Sequence, residues 1–251
     1  MKNKVIIHCL TKSLPKTAFN VVFIPLLLIG FPGTAQEIKS DSSVLKVIKD
    51  VKQYQQVALS DPTRKMVDLK KYIPAIVLNL RYATTKNFTH HKLYPSLKTT
   101  YMRLPAAEAL RLIQQELNAR NLGIMIFDAY RPYRATVEMW ELVKDERYVA
   151  DPKKGSGHNR GTTVDLTIVD LKTKQPLEMG TGFDNFTDSA HHSFIALPVS
   201  TLANRKMLKD IMEKHGFVAL ETEWWHYGLA NSGDFDLMDI GFEELSKALK
   251  R

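Results

Sequence analysis

The chain of 251 residues contains a single cysteine, Cys9, which lies in an N-terminal segment that we expect to be removed. The mature protein then has no thiol, and this excludes disulfide frameworks, thiolate nucleophiles and cysteine-based metal sites. Any metal ion must therefore be held by histidines and carboxylates.

Long apolar runs are also missing. The apolar stretch at residues 21–29 has nine residues and contains Pro25, whereas a helix that spans a bilayer needs about 20. Lysines precede this stretch and the small residues Gly33-Thr34-Ala35 follow it, a pattern typical of a secretory signal. We predict a signal peptide over residues 1–35, an exported protein that is periplasmic or secreted, and no stable membrane association after cleavage. A membrane anchor is the alternative.

The positive charge of the chain is small once the N-terminal segment is set aside. The formal net charge is +8, but residues 1–35 contain four lysines and no acid, which leaves 31 Lys and Arg against 27 Asp and Glu. These residues are spread along the chain, so we expect no nucleic-acid partner. No repeat or low-complexity linker divides residues 36–251, which we predict to be one domain.

Hydrophobic periodicity predicts both helices and strands in an irregular order. The expected helices cover residues 40–58, a segment that begins at Pro105, and residues 134–144 and 201–215. The expected strands cover residues 76–80, 123–128, 163–169, 217–220 and 224–229. Because strands and helices do not alternate regularly, we predict an α+β fold with a central antiparallel sheet flanked by helices.

One candidate site begins at a glycine loop that leads into a strand. His158 follows Gly155-Ser156-Gly157, and Asp165 projects from one face of the strand. An imidazole and a carboxylate placed in this way could share a zinc ion. A histidine in a loop is, however, more often a surface or capping residue.

A second candidate cluster is Glu221-Thr222-Glu223-Trp224-Trp225-His226. Residues three apart on a strand point to opposite faces, so Glu223 and His226 could share a site only if a bulge or turn occurs at the tryptophans. Three zinc ligands would leave a fourth position for water, as in catalytic sites, and a nearby Glu could move protons. The alternative is a buried Trp pair flanked by surface charges.

These motifs resemble those of the D-alanyl-D-alanine dipeptidases of the zinc DD-peptidase superfamily. The Ser-x-His-x-x-Gly-x-x-x-Asp pattern and the later Glu and His resemble the motifs of the superfamily, and further landmarks resemble the dipeptidase branch. Those landmarks are Arg81-Tyr82-Ala83-Thr84 with Asn87-Phe88, Asp128-Ala129-Tyr130-Arg131-Pro132, Met179-Gly180-Thr181-Gly182-Phe183-Asp184 and Ser189-Ala190-His191-His192. One departure is Thr163, where the family often has Ala; we expect the strand to accommodate it.

The resemblance implies a role for seven residues. His158, Asp165 and His226 would bind one Zn²⁺ in a cleft on the sheet, and Glu223 would be the catalytic base and acid. Arg131 would stabilise the charge that develops on the scissile carbonyl, although an ion pair with Asp128 is its alternative role. Ser156 and Asp184 match positions that contact the carboxylate and the ammonium of a small dipeptide substrate.

Two other functions remain open on the sequence. A zinc D,D-carboxypeptidase or endopeptidase that acts on peptidoglycan stem peptides would share the catalytic residues but have an open cleft. A binding module that keeps the fold and the metal would be expected to lack the base or the arginine, and this chain has both Glu223 and Arg131.

Overall fold

A computed structural model of the protein describes residues 45–250. The predicted signal peptide and the first residues of the expected N-terminal helix lie outside this range. Within residues 45–250, no helix is both long enough and apolar enough to cross a membrane.

The core of the molecule is a five-stranded sheet with the order β3-β5-β6-β8-β7. Its strands are β3 (Val77–Leu78), β5 (Leu122–Asp128), β6 (Thr163–Asp170), β7 (Phe217–Ala219) and β8 (His226–Leu229). Neighbouring strands are antiparallel except β3 and β5, which are parallel. The α+β fold is thus as predicted, and the parallel pair is explained by the helix-containing crossover between β3 and β5.

Two further pairs of strands lie outside this sheet. In one, β1 (Val47–Ile48) pairs in parallel with β9 (Leu237–Met238). In the other, β2 (Met66–Asp68) pairs with β4 (Tyr101–Arg103) in antiparallel orientation.

The helices among the described residues are mostly short. They are α1 (Val51–Ser60), α2 (Leu69–Tyr72), α3 (Leu104–Asn118), α4 (Tyr133–Val143), α5 (Gly157–Arg160), α6 (Val199–Lys214) and α7 (Phe242–Ala248). The longest two agree with the sequence pattern: Pro105 lies in the first turn of α3, and Gly216 follows α6 with a φ of 86°.

Residues 40–58 do not form the single helix that the apolar pattern predicted. Residues 47–48 form a strand because they pair with a segment 190 positions later, a contact that local periodicity does not reveal. The helix begins at Val51, after Asp50 caps it by accepting hydrogen bonds from the backbone N–H groups of Lys52 (2.7 Å) and Gln53 (3.1 Å).

Smaller differences concern the ends of predicted elements. The strand expected over residues 76–80 is confined to Val77–Leu78, and the last strand begins at His226 rather than at Trp224. The glycine loop is shorter than predicted, because Gly157 and His158 already belong to α5.

The strand β6 is buried on both faces. Val164, Leu166 and Ile168 are fully buried on one face, as expected for a core strand. The opposite face carries Asp165 and Thr167, which are 2% and 1% exposed. Polar side chains are rarely this deeply buried without a partner or a function, so this face of the sheet is where a site is to be sought.

Candidate functional site

A His-Asp-His group lies at the centre of the polar face. Asp165 in β6 and His226 in β8 are direct partners across two neighbouring strands. His158 approaches from α5, with its Nε2 3.4 Å from Oδ1 of Asp165, while Nδ1 of His226 is 3.0 Å from the same oxygen. One ligand atom from each residue lies within 4.8 Å of the others, a spacing that could hold a metal ion.

The orientation of His158 suits it to this purpose. Its Nδ1 lies 2.8 Å from the carbonyl oxygen of Ala129, which can only accept a hydrogen bond, so the proton is on Nδ1. Nε2 then carries a free lone pair, and this buried nitrogen has no hydrogen-bond partner among the described residues. A backbone carbonyl that fixes the tautomer of a metal-binding histidine is a common arrangement.

Asp165 supplies the second unpartnered atom. Its buried Oδ1 makes no contact with hydrogen-bond geometry in the described part of the chain, despite the nearby His226 ring. Burial alone would raise the pKa of the Asp165 carboxyl, but the neighbouring His158 and His226 imidazoles outweigh burial and lower this pKa. A carboxylate and imidazole nitrogens are the donors that Zn²⁺ accepts, and two buried donor atoms without partners fit such an ion.

Glu223 is brought beside the His-Asp-His group by a turn at the two tryptophans. The N–H of His226 donates to the carbonyl of Glu223 (3.2 Å), and Trp224 and Trp225 are 3% and 1% exposed. The turn places Oε2 of Glu223 3.4 Å from Nδ1 of His226. This turn is the interruption of the strand that we expected to be necessary for Glu223 and His226 to share a site.

The electrostatic surroundings of Glu223 are unusual. Burial, followed by the negative charges of Asp165 and Asp184, raises the pKa of the Glu223 carboxyl well above its ordinary value. A cation held by the adjacent His-Asp-His group would oppose this shift by attracting the carboxylate. A carboxyl whose pKa is raised by burial is suited to accept and return a proton.

Arg131 follows β5 and occupies the floor of the site. Its Nε donates to Oδ2 of Asp128 (3.0 Å) and its Nη2 lies 2.9 Å from the same oxygen, so the ion pair considered as an alternative does exist. The same Nη2 lies 3.9 Å from Oδ2 of Asp165, and the guanidinium stands 5.2 Å from the ring centre of Tyr82. The ion pair therefore orients the arginine within the site rather than removing it from the site.

Asp184 lines the same space. The hydroxyl of Tyr82 donates to its Oδ1 (2.9 Å), whereas Oδ2 is buried without a partner among the described residues. Burial raises the pKa of Asp184 to about 7, and the hydrogen bond from Tyr82 only partly opposes this effect. A buried carboxylate oxygen without a partner is a natural acceptor for a cationic ligand group.

Ser156 caps the short helix α5. Its Oγ accepts from the N–H of His158 (3.2 Å), which leaves the hydroxyl hydrogen free to donate. Thr163, the departure from the family pattern, lies in β6 beside Gly228. A Cβ atom on Gly228 would come within 2.9 Å of the Thr163 Oγ1, so the glycine leaves room for the threonine side chain.

A single cavity of about 240 Å³ connects these groups. All seven residues singled out from the sequence line it, namely Arg131, Ser156, His158, Asp165, Asp184, Glu223 and His226. Residues that are far apart in the chain are therefore brought to one cleft on the polar face of the sheet.

Part of the cleft wall was not predicted from the sequence. Residues 146–150 line the cavity, and Tyr148 in this segment stacks on Phe186 with a centroid distance of 4.6 Å. Phe186 in turn packs on Phe88 at 5.3 Å. The segment has no periodicity or chemical motif that could have revealed its place. Tyr82, by contrast, belongs to the Arg-Tyr-Ala-Thr landmark, which was a usable signal.

Comparison with known proteins shows the family of the chain. The D-Ala-D-Ala dipeptidase family profile matches residues 62–244. The D-alanyl-D-alanine dipeptidase of Escherichia coli K12 is 34% identical over 180 residues, which are 72% of this chain and 92% of that protein. The enzyme of the same name from Enterococcus faecalis is 30% identical over 185 residues, which are 64% and 89% of the two chains.

A solved structure gives a looser likeness. The vancomycin-resistance D,D-dipeptidase VanXYg, in complex with a D-Ala-D-Ala phosphinate analogue, superposes with a TM-score of 0.31 and 18% identity over 74% of this chain and 75% of that chain. The assignment depends instead on the sequence relatives and on the family profile, which covers most of the described residues. By these matches, the protein belongs to the D-alanyl-D-alanine dipeptidase family of peptidases.

Proposed function

We propose that this enzyme hydrolyses the D-alanyl-D-alanine dipeptide to two D-alanines and depends on one Zn²⁺ per chain. The observation that carries the proposal is the single cavity lined by a metal-binding group, a carboxyl with a raised pKa and a buried arginine. Its volume of about 240 Å³ is below the range of about 300–1,000 Å³ of ordinary small-molecule pockets. A space of this size suits a dipeptide better than an extended peptide stem.

The metal would be held by His158, Asp165 and His226, whose nitrogen and oxygen donors face one another. Zinc bound there would supply a Lewis acid that polarises the scissile carbonyl and makes water a stronger nucleophile.

Glu223 is our candidate for proton transfer. In this role it takes a proton from the attacking water and gives it to the nitrogen of the departing D-alanine. Its Oε2 lies 3.4 Å from Nδ1 of His226, beside the group that would hold the metal, so the carboxyl is placed to hold that proton between the two steps.

Arg131 is our candidate for stabilising the carbonyl oxygen as negative charge develops on it. A buried guanidinium that is already oriented by Asp128 needs little rearrangement during the reaction, and such preorganised charge favours the transition state over the substrate.

The two ends of the substrate would be held by Asp184 and Ser156. The free Oδ2 of Asp184 suits the ammonium group of a dipeptide, and the hydroxyl hydrogen of Ser156 suits its carboxylate. Recognition of both charged ends would select free dipeptides over acylated stem peptides.

The direct test is an assay of the protein that begins at Gln36, loaded with zinc, on D-Ala-D-Ala. Release of two equivalents of D-alanine is expected. Faster cleavage of a pentapeptide stem than of the free dipeptide would favour the carboxypeptidase function instead.

We also propose that residues 1–35 direct export to the periplasm or the medium and are then removed. The lysine-rich start, the apolar stretch and Gly33-Thr34-Ala35 support this proposal. Sequencing the N-terminus of the exported protein should give Gln36, and an exported form that retains residues 1–35 would contradict it.

A further inference from the structure

The segment of residues 179–191, which carries Asp184 into the cleft, is held at both ends by the side chain of Arg205. Arg205 in α6 donates from Nε to the carbonyl oxygen of Met179 (2.7 Å) at the start of the segment. Its Nη2 and Nη1 donate to the carbonyl oxygens of Ser189 (2.8 Å) and His191 (3.1 Å) at the end of the segment. The guanidinium thus joins two stretches of backbone that are separated by about a dozen residues of chain.

The geometry of this clamp is specific to arginine. Arg205 is 5% exposed, and burial lowers the pKa of its guanidinium. A buried cation needs polar partners, which the three carbonyl oxygens supply. The five donors of a planar guanidinium can reach carbonyls on both sides at once, whereas the single ammonium of a lysine cannot span them in the same way.

The clamp also contacts the turn that carries Glu223. The guanidinium carbon of Arg205 lies 6.0 Å from the ring centre of Trp224. The backbone N–H of Trp224 donates to the carbonyl of Ala190 (3.1 Å), and its indole N–H donates to Oγ1 of Thr181 (2.8 Å). The two ends of the segment are therefore fixed to the residue that follows the proposed base.

We propose that Arg205 is a positioning residue that sets the place of Asp184 relative to the catalytic turn and thereby determines selectivity for a free substrate ammonium. This inference rests on the proposed dipeptidase function. Asp184 lies in the middle of the clamped segment, where its Oδ2 faces the cleft without a partner among the described residues.

The physical reason is the conformational freedom of an unclamped segment. Without Arg205 the two ends are joined only through Trp224, so the segment samples more conformations, and each bond that closes a loop removes part of that entropy. Asp184 would keep its hydrogen bond from Tyr82, but its distance from the metal-binding group would vary. A displacement of about 1 Å in a substrate-positioning group can change rates by about a hundredfold.

The test compares Arg205→Met and Arg205→Lys with a matched control. Asn204, the neighbouring residue of α6, donates from Nδ2 to the carbonyl of Glu178 (2.9 Å) and so holds one end of the segment only. For each zinc-loaded variant, kcat/KM is measured on D-Ala-D-Ala and on N-acetyl-D-Ala-D-Ala. The ratio of the two values reports recognition of the ammonium.

We expect Arg205→Met to lower this ratio by about tenfold or more, mainly through a higher KM for the free dipeptide. Arg205→Lys should recover part of the loss, and Asn204→Ala should change the ratio by less than about twofold. In an Asp184→Asn background, Arg205→Met should change the ratio little further. An unchanged ratio in a folded Arg205→Met variant, or an equal drop in the Asp184→Asn background, would overturn the proposal.

Amide hydrogen exchange provides a readout that does not depend on turnover. Residues 181–188 should exchange faster in Arg205→Lys and Arg205→Met, while β6 and β8 keep their protection. Unchanged exchange in this segment would contradict the clamp. If Arg205→Met does not fold, the kcat/KM ratio and the hydrogen exchange of Arg205→Lys test the proposal. If the wild type fails to cleave D-Ala-D-Ala, the proposed function is wrong, and exchange still tests the clamp.

Discussion

The two sides of the cleft are built on different kinds of structure. The metal-binding side rests on the central sheet, where Asp165 and His226 are direct partners on β6 and β8. The substrate side rests on segments without long regular elements, namely residues 146–150 and the segment of residues 179–191 that carries Asp184. Strands hold reacting groups at fixed distances, whereas loops vary without disturbing the core. In our proposal, the groups that carry the chemistry lie on the sheet side and those that select the substrate lie on the loop side.

The largest effect is expected when the metal-binding group is disrupted. Asp165→Asn removes the negative charge that two imidazoles face, so the zinc content should fall well below one per chain and activity should be lost. Metal analysis together with the dipeptide assay measures both. Asp170→Asn, at the other end of the same strand, is the matched control and should keep metal and activity. Full activity in metal-free protein would exclude zinc chemistry.

The next largest effect should come from the proposed base. Glu223→Gln should retain zinc but lower kcat strongly, because general acid–base transfer alone contributes roughly 10²–10⁴-fold. Glu221→Gln is the control, since Glu221 is exposed and accepts from the N–H of Ser193. A large loss in Glu221→Gln, with near wild-type kinetics in Glu223→Gln, would reverse the assignment.

A smaller effect is expected on the loop side. N-acetylation of the substrate removes the ammonium that Asp184 would bind, so acylated dipeptide should be a poorer substrate by about a hundredfold. Asp184→Asn should reduce this difference in kcat/KM, because it should slow hydrolysis of the free dipeptide more than hydrolysis of the acylated one. Asp188→Asn, in the same segment but with an exposed side chain, should leave the difference unchanged.

The smallest effect on activity belongs to the last prediction, which concerns the stability of the fold and its dependence on pH. Burial raises the pKa of Asp184 from 3.8 to about 7, so the folded state binds this proton more tightly than the unfolded chain does. The contribution of Asp184 to the free energy of unfolding therefore falls as pH rises from about 4 to about 7, by about 4 kcal/mol at most.

Asp184→Asn lacks this titration and can keep the hydrogen bond from Tyr82. The melting temperature of the variant should exceed that of the wild type at pH 8, and the difference should shrink towards pH 4. Thermal unfolding of both proteins across this range is the measurement. A difference that does not change with pH would show that Asp184 is charged in the folded protein throughout.

The sheet side was the easier part to predict from the sequence. His158, Asp165, Glu223 and His226 are chemically distinctive residues in short motifs, and the turn at Trp224-Trp225 followed from the need to bring the last two together. Such motifs can be recognised in a single sequence because each of them lies within one strand, turn or helix end.

The rest of the fold depends on contacts between distant residues. The strand at Val47–Ile48 exists because of its pairing with β9, and the parallel pairing of β3 with β5 depends on the path of the intervening chain. The position of Tyr148 over the cleft depends on stacking against Phe186. None of these contacts leaves a periodic pattern in its own segment, so the sequence alone did not reveal them.

One set of measurements tests whether catalysis depends on the sheet side and substrate selectivity on the loop side. The ratio of kcat/KM on D-Ala-D-Ala to kcat/KM on N-acetyl-D-Ala-D-Ala is determined for the zinc-loaded wild type, Glu223→Gln and Asp184→Asn. We predict that Glu223→Gln lowers both values and leaves their ratio unchanged, because proton transfer serves both substrates equally. Asp184→Asn should lower the ratio. A shifted ratio in Glu223→Gln, or an unshifted ratio in Asp184→Asn, would contradict the assignment of chemistry to the sheet and selectivity to the loops.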